Sequence, residues 1–465
     1  MFLTSIWSYF PWFFYLLLAE SLRESRGRFN LIYLILLTVF LGIFVYWSYV
    51  FYFPKRLEVE AQQLRINWEK SEEWVKVLWF LFSLALFIKH GMFYAHNSIW
   101  ILVIKILLGI NFITSLLSLG KFFKYPWPFK AFMSVGLLSL GVSLILIPLA
   151  SPSPHIDVWY FATIASDLLL QGKNPYLHAY PDVYSGNFEA KFDLIYWPIS
   201  TYFYALGRAF FGEVRVFLIA AQFIVALGLK KLTEGTKPLF SLGIILLWIS
   251  YPITFFSLEQ AWVEALTFPF LVGFAWCLKQ QRWNFAGIML GNILMTKQYM
   301  IFLCVLSFCY VYSLAGKKQA IKYFFITAAT SFVIVAPFLW WDKTIFFEKT
   351  VLGLLRTPPQ EYSLSWIAYF LKFHQIALSG KMVSLVYVLV TFLGCFLVYK
   401  NAYKGQSFLW AINIILYFVV FFLGKQAYCN YYHVLALMML LFLVLLREEL
   451  QQNVVKKFIP TKKET

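Results

Sequence analysis

Between Ser151 and Trp197 the sequence places five carboxylates, Asp157, Asp167, Asp182, Glu189 and Asp193, against two lysines, Lys173 and Lys191, in a chain whose formal charge is +17. A carboxylate within hydrogen-bond reach of an attacking hydroxyl can take its proton, and Asp157 is the best placed of the five for that work. It stands in His155-Ile156-Asp157, directly after a hydrophobic run. The residues that follow, with Phe161, Ile164, Ala165, Leu168 and Leu169 apolar, have the spacing of a helix with one greasy face, stopped by Gly172 and Pro175. The plain reading of an aspartate in that position is a helix N-cap that accepts the first free backbone amides. The two roles are compatible, because a carboxylate fixed by its own helix is also a well-placed general base.

Cations at distant places complement it. Lys297 follows an apolar run near 284–296, too short at about 1.5 Å per residue to cross a hydrocarbon core of about 30 Å. The lysine is therefore expected to sit deep, either snorkelling to headgroups or holding a phosphate. Arg356, in Leu354-Leu355-Arg356-Thr357-Pro358-Pro359, and Lys425, in Gly424-Lys425-Gln426, are further cations just outside the apolar runs, the plain reading of Arg356 being a headgroup anchor. Glu264 stands one helical turn after Gln260, as a buried functional acid or as the partner of a lysine. His155 and His374 could hold phosphate, pyrophosphate or a metal, although isolated loop histidines are usually solvated. Asp193 stands close to Tyr196 in the same loop, its plain reading being a turn residue. The rings beside the acidic loop, Trp159, Tyr160, Tyr176, Tyr196 and Trp197, suit stacking on a sugar, but membrane interfaces enrich tryptophan and tyrosine in any case.

These residues need a scaffold, and the composition says which. With 61% hydrophobic and 13% charged residues in 465, the chain has more apolar surface than a soluble domain can bury, so an all-α polytopic membrane protein is expected. Runs that can span lie near 30–53, 74–88, 98–118 and 131–150, then near 214–229, 238–257, 261–278, 284–296, 299–315, 321–339, 381–399, 407–424 and 432–446, about 13 transmembrane helices. The clusters Lys121/Lys124/Lys130, Lys230/Lys231/Lys237, Lys279/Arg282, Lys317/Lys318/Lys322, Lys400/Lys404 and Arg447/Lys456/Lys457 can all be cytoplasmic if Ile199–Phe211, opened by Pro198, lies along the outer surface instead of crossing. The acidic loop, Leu258-Glu259-Gln260, Lys297-Gln298, the segment 340–380 and Lys425–Tyr432 then share the extracytoplasmic side.

The expected organisation is an accessory N-terminal membrane module (1–120), a catalytic transmembrane domain (121–446) with outer loops 151–213 and 340–380, and a basic cytoplasmic tail (447–465). Within 1–120, Arg23/Arg26/Arg28 and Lys55/Arg56 flank one span and cannot both be inside. The first apolar segment, Phe2–Ala19, has no basic leader or cleavage site and reads as a short span or an interfacial helix. The basic residues fall in short clusters between apolar runs, as cytoplasmic anchors do, so nucleic acid is not an expected partner. Four of the five cysteines, Cys277, Cys304, Cys309 and Cys395, fall in spans, and Cys429 falls near a helix end. No CxxC pair or histidine cluster suggests a disulfide framework or a zinc site.

Asp157 after a span, an amphipathic helix, Gly172-Lys173-Asn174-Pro175-Tyr176 and Tyr196-Trp197-Pro198-Ile199 together resemble the GT-C superfamily of membrane glycosyltransferases, and most nearly its polyprenyl-phosphate-dependent mannosyltransferases. That branch reads Asp, a tyrosine-containing helix, Gly-x-x-Pro-Tyr and Tyr-Pro-Pro; here Trp197-Pro198-Ile199 departs from the double proline. Glu259-Gln260, Thr296-Lys297-Gln298, Gly424-Lys425-Gln426 and Asn430-Tyr431-Tyr432 extend the likeness over about residues 131–446. The resemblance implies a GT-C-like bundle with two juxtamembrane helices in the first large outer loop. It implies an inverting enzyme of the plasma membrane that moves a hexose, mannose-like, from a polyprenyl-phosphate donor to a lipid-linked or glycan acceptor on the extracytoplasmic face. Asp157 would be the base. Lys297, Arg356, Lys425 and His155 would face the donor phosphate, and Tyr176, Asp193, Tyr196, Gln260, Glu264 and Gln298 the substrates. No cofactor is expected; a divalent metal is compatible with the chemistry, but no cluster points to one. A transporter or flippase, or an outer-face ligase, of lipid-linked saccharides is the competing class. A transporter is disfavoured because no internal repeat is visible and the polar groups cluster at one face, not at mid-depth.

Overall fold

A computed structural model describes Trp7 and residues 9–53, 71–120, 127–184 and 193–458. Lys55, Arg56, Lys121, Lys124, Glu189 and Lys191 lie outside the described residues. Regular structure among those described is helical throughout, apart from an isolated antiparallel bridge between Arg28 and Ser363. Helices satisfy every interior backbone group within themselves, which is what a chain this apolar requires inside a membrane. Six helices are long and apolar enough to cross a bilayer, or seven if Pro198–Phe211 and Val216–Leu232, bent by 109°, form one broken span. The chain is thus a polytopic, membrane-embedded helical protein.

In chain order, α1 (Phe10–Ser25), α2 (Leu31–Tyr52), α3 (Ser71–Ile88), α4 (Ser98–Leu119) and α5 (Trp127–Ala150) precede α6 (Asp157–Leu170) and α7 (Pro198–Phe211). Then come α8 (Val216–Leu232), α9 (Pro238–Ile249), α10 (Thr254–Glu259), α11 (Glu264–Lys279), α12 (Trp283–Leu294) and α13 (Ile301–Phe347), the last broken at Gly316 and Asp342. The chain closes with α14 (Trp366–His374), α15 (Gly380–Asn401), α16 (Gln406–Phe422) and α17 (Cys429–Phe458). Local signals set several boundaries. Asn30 Oδ1 accepts the Tyr33 amide at the start of α2, Ser365 Oγ accepts that of Ala368 at the start of α14, and Pro198 opens α7, which stops at a left-handed Gly212 (φ 70°).

The spanning window of α17 is 94% buried, against 11% for α15, so α17 is the axis of the bundle and α15 its periphery. α1 packs inside against α17, with Trp12, Phe14, Leu18 and Leu22 fully buried and Phe14 stacked on Phe418. The segment expected as a short span or an interfacial helix is a buried helix of the bundle from Phe10 on, and most of the residues before it lie outside the described set. The segment 340–380, expected as a loop, is also largely helical. After α13 the helix runs on through a π-turn, Glu348–Leu352, to Arg356, and α14 follows.

Two ends of the bundle can be told apart by their contacts. At one, the basic loops meet the end of α17: Arg447 pairs with Glu72, Lys279 with Glu448 and Lys237 with Glu72. Glu449 holds Ser407 at the start of α16. At the other, around Cys429 at the start of α17, lie α6, α7 and the loops after α1, α3, α10 and α12.

Candidate active site

Asp157 is the first residue of α6 and not its N-cap. Ile156 precedes it in extended backbone (φ −145°, ψ 142°), and no side chain caps the helix. The carboxylate turns instead to the nearest free amide, accepting Val158 N–H on Oδ1 at 2.8 Å, and the same oxygen takes the Tyr184 hydroxyl at 3.2 Å. Burial pushes its pKa up from the ordinary carboxylate value, and the hydrogen bonds from Val158 and Tyr184 offset part of that rise. Among the described residues, no ion pair opposes the effect.

α6 is held by its neighbours. Asp167 binds Arg208 of α7 at 3.0 Å, and Tyr176, 1% exposed between the edges of Phe338 and Phe346, donates its hydroxyl to the Tyr196 carbonyl at 2.7 Å. Behind them Arg215, 0% exposed, makes a fork-to-fork pair with Glu213 and donates to the carbonyls of Ser151 and Glu259. The Glu259 carboxylate in turn accepts the amides of Phe93 (2.5 Å) and Tyr94 (2.8 Å). This buried network brings the loop after α3, from the N-terminal third of the chain, to the same wall as Asp157.

Lys297 and Glu264 meet. Nζ lies 3.0 Å from Glu264 Oε1, with side chains 6% and 1% exposed, and Asn430 Nδ2 donates to the same oxygen at 2.8 Å. The ammonium also sits over the rings of Tyr196 (4.7 Å) and Tyr431 (5.2 Å). A charge this enclosed survives only because it is paired and seated on aromatic faces.

The last wall comes from the turn after α1. Arg26 and Gly27 are both left-handed, with φ of 51° and 69°. Position 27 must be glycine, since a Cβ there would stand 1.8 Å from the Cys429 nitrogen. The turn is stitched across the bundle: Phe29 N donates to Tyr362 O, Leu364 N is shared between Gly27 O and Ala427 O, and Gln360 N donates to Lys425 O. The Arg26 guanidinium rests on Phe93 at 4.4 Å and Phe256 at 5.8 Å.

These parts enclose a polar cavity of about 630 Å³ whose lining includes Asp157, Tyr184, Lys297, Lys349, Arg26 and Arg28. Beside it runs a second hollow of about 1050 Å³, lined chiefly by apolar side chains of α12, α13, α15 and α16 such as Phe302, Ala328, Val383 and Phe421. Ile195, Tyr196, Lys297, Thr357, Gln426 and Tyr431 belong to both linings and form the partition between them.

The residues singled out in the sequence fall into three groups. Asp157, Asp193, Tyr196, Gln260, Lys297 and Arg356 line the polar cavity, although Asp193 is bound to Lys349 at 2.6 Å, Arg356 to Glu348 at 3.6 Å, and Gln260 accepts the Trp262 indole N–H. Gln298 and Lys425 line the apolar hollow, and both spend donors on carbonyls: Gln298 on those of Ile195 and Thr350, Lys425 on those of Leu355 and Thr357. Glu264, behind Lys297, lines neither hollow. Tyr176 is a packing residue behind the wall; His155 is exposed against Tyr160, and His374 against Tyr369. Among the described residues, no three His, Cys, Asp or Glu side chains gather as a metal site. Arg26, Arg28, Tyr94, Lys349 and Tyr184 were not picked out from sequence. The one signal for the arginines is that Arg23/Arg26/Arg28 and Lys55/Arg56 could not share a side. Comparison with known protein families, with characterised proteins and with solved structures gives no match to this chain.

Proposed function

We propose that the protein is an inverting glycosyltransferase of GT-C type that moves a hexose, mannose-like, from a polyprenyl-phosphate to a lipid-linked or glycan acceptor. The observation that carries this reading is a carboxylate, Asp157, with no close cation among the described residues, in a polar cavity that shares with an apolar hollow a partition including Tyr196, Lys297 and Tyr431. A donor that is greasy at one end and charged at the other has a place for each part across that partition. The acceptor oxygen attacks the anomeric carbon while its proton passes to Asp157. The bond from that carbon to the phosphate oxygen breaks from the opposite face, and polyprenyl phosphate leaves with the electron pair. Burial of Asp157 raises its basicity for this step. Lysine has three N–H donors and Lys297 commits one to Glu264, so it retains others for the departing phosphate; Lys349 and Arg356 add positive charge on the same wall.

In this reading α7 lies along the outer surface of the plasma membrane, the basic end of the bundle is cytoplasmic and the cavity opens extracytoplasmically. The test is to supply the purified protein in nanodiscs with radiolabelled polyprenyl-phosphate mannose, and with the glucose form, together with membrane-extracted acceptors. A labelled product that disappears in Asp157→Asn supports the reading. Transfer by that variant at the wild-type rate, or no turnover of any polyprenyl-phosphate sugar, overturns it.

A further inference from the structure

The charges lining the polar cavity do not all cancel. Lys349 is bound to Asp193, Arg356 to Glu348, and Lys297 to Glu264 behind the wall. Among the described residues, this leaves Asp157 without a cation and Arg26 and Arg28 without a carboxylate. The two arginines are held to different degrees. Arg26 is half-buried with its guanidinium planted on Phe93 and Phe256, while Arg28 is exposed at the cavity, its backbone held by the bridge to Ser363. Their turn is built at the cost of a left-handed non-glycine residue, Arg26, against the backbone of Tyr428 and Cys429. Tyr94 and Tyr428 lie within electrostatic reach of both Arg28 and Asp157, so the arginines and the carboxylate border the same part of the cavity.

We infer that Arg26 and Arg28 form an anion subsite that holds a phosphate or pyrophosphate group of the acceptor, setting its hydroxyl beside Asp157. Two guanidinium groups offer forked donors matched to phosphate oxygens. A fixed anion there also explains why the cavity carries two arginines with no carboxylate paired to them among the described residues. The inference rests on the reading of the cavity as a transfer chamber, and it makes the N-terminal turn part of the substrate site.

The experiment measures binding and not transfer, so that it stands apart from the glycosyltransferase reading. The full chain in nanodiscs of neutral lipid is titrated calorimetrically with inorganic pyrophosphate, farnesyl pyrophosphate and farnesyl phosphate, and compared with Arg28→Gln and with Arg26→Gln/Arg28→Gln. Pyrophosphate is expected to bind wild-type protein and to lose at least about tenfold in affinity in Arg28→Gln, and more in the double variant, the loss anticipated for a charge-assisted hydrogen bond. Farnesyl phosphate, seated at the partition, is expected to change by less than about twofold, within the scatter of a site that does not use these arginines. Farnesyl pyrophosphate binding more tightly than pyrophosphate, with the same sensitivity, would mark the acceptor as lipid-borne; equal affinities would mark a headgroup read on its own. Pyrophosphate affinity unchanged in a folded Arg28→Gln protein, or no pyrophosphate binding to wild type, overturns the subsite. Loss of farnesyl phosphate binding in wild type would instead strike the donor reading and leave the arginine result standing.

Discussion

The two ends of α17 hold charge in opposite ways. Around Arg447 and Glu448 the ionised groups are used up on one another: Glu72 takes both Arg447 (2.9 Å) and Lys237 (3.4 Å), and Lys279 takes Glu448 at 2.6 Å. Around Cys429 the same kinds of side chain surround a hollow, and Asp157, Arg26 and Arg28 stay without counter-ions among the described residues. Charge that only holds helices together is expected to cancel, because an uncompensated ion in a poorly hydrated place is expensive. On the proposed reading, charge kept apart at the edge of the cavity is stabilised by a bound substrate. If that reading holds, the difference separates residues that build the bundle from residues that act on a ligand.

The largest expected effect lies at the uncancelled carboxylate. Asp157→Asn keeps the shape and loses the proton acceptor, so transfer should fall by about 10²–10⁴-fold, the usual contribution of a positioned base. Thermal unfolding should not move downward, because the buried charge is removed. A loss of rate that merely tracked a loss of folded protein would move Asp157 to the building group.

Next come the buried pairs, one from each end. Glu264→Ala strands an ammonium that is 6% exposed and should cost about 3–5 kcal/mol, whereas Glu264→Gln with Lys297→Met removes both charges and should recover much of it. Glu72→Ala strands Arg447, whose side chain is 3% exposed, and should destabilise by a comparable amount. The distinction is in the activity of the molecules that remain folded: lowered for both Glu264 variants, because Lys297 faces the partition, and unchanged for Glu72→Ala. Rate per folded molecule, with folding followed by tryptophan fluorescence, separates them.

The comparison also shows how far the sequence could be read. α6 was legible because its apolar spacing and the Gly172 stop are local, and α7 because Pro198 can open a helix and Gly212 can end one. The gathering of basic loops at one end followed from the placement of lysine and arginine between apolar runs. The cavity was legible only in part. Lys297 looked deep because α12 is short, but nothing local shows that Glu264, on another helix, will bind it. The Arg26-Gly27 turn depends on chain crossing it from residues 360–365 and 427–429, and Lys425 was drawn to carbonyls that exist only once the segment after α13 has folded. Side chains whose partners are set by tertiary contact leave no periodic trace.

A smaller effect is expected at Tyr184, and it appears in the pH dependence. Asp157 must be ionised to accept a proton, and burial raises its pKa, so transfer should decline with falling pH at a point above the ordinary carboxylate value of about 4. The Tyr184 hydroxyl favours the ionised form through its 3.2 Å hydrogen bond. Tyr184→Phe should therefore move the acidic limb to higher pH and leave the plateau rate within about tenfold, in line with the loss of one hydrogen bond to a charged group. An acidic limb that stays in place in the variant would mean that another group sets it.

The smallest effects make the sharpest comparison, because they set two surface pairs of similar exposure against each other. Arg356 lies 3.6 Å from Glu348, with side chains 68% and 51% exposed, at the cavity end; Lys231 lies 2.6 Å from Glu234, with side chains 62% and 60% exposed, at the basic end. Solvent screens both, so neither Arg356→Ala nor Lys231→Ala should measurably shift thermal unfolding. If exposed charge at the cavity end is there for a ligand, Arg356→Ala alone should raise the KM for the polyprenyl-phosphate donor, by about threefold to tenfold for a partly hydrated phosphate contact. The longer Arg356 pair is also the easier to exchange, since a guanidinium at 3.6 Å from its carboxylate gives up little on turning toward a phosphate. Equal KM values for the two variants would place Arg356 with the anchors and leave the donor phosphate to Lys297 and Lys349.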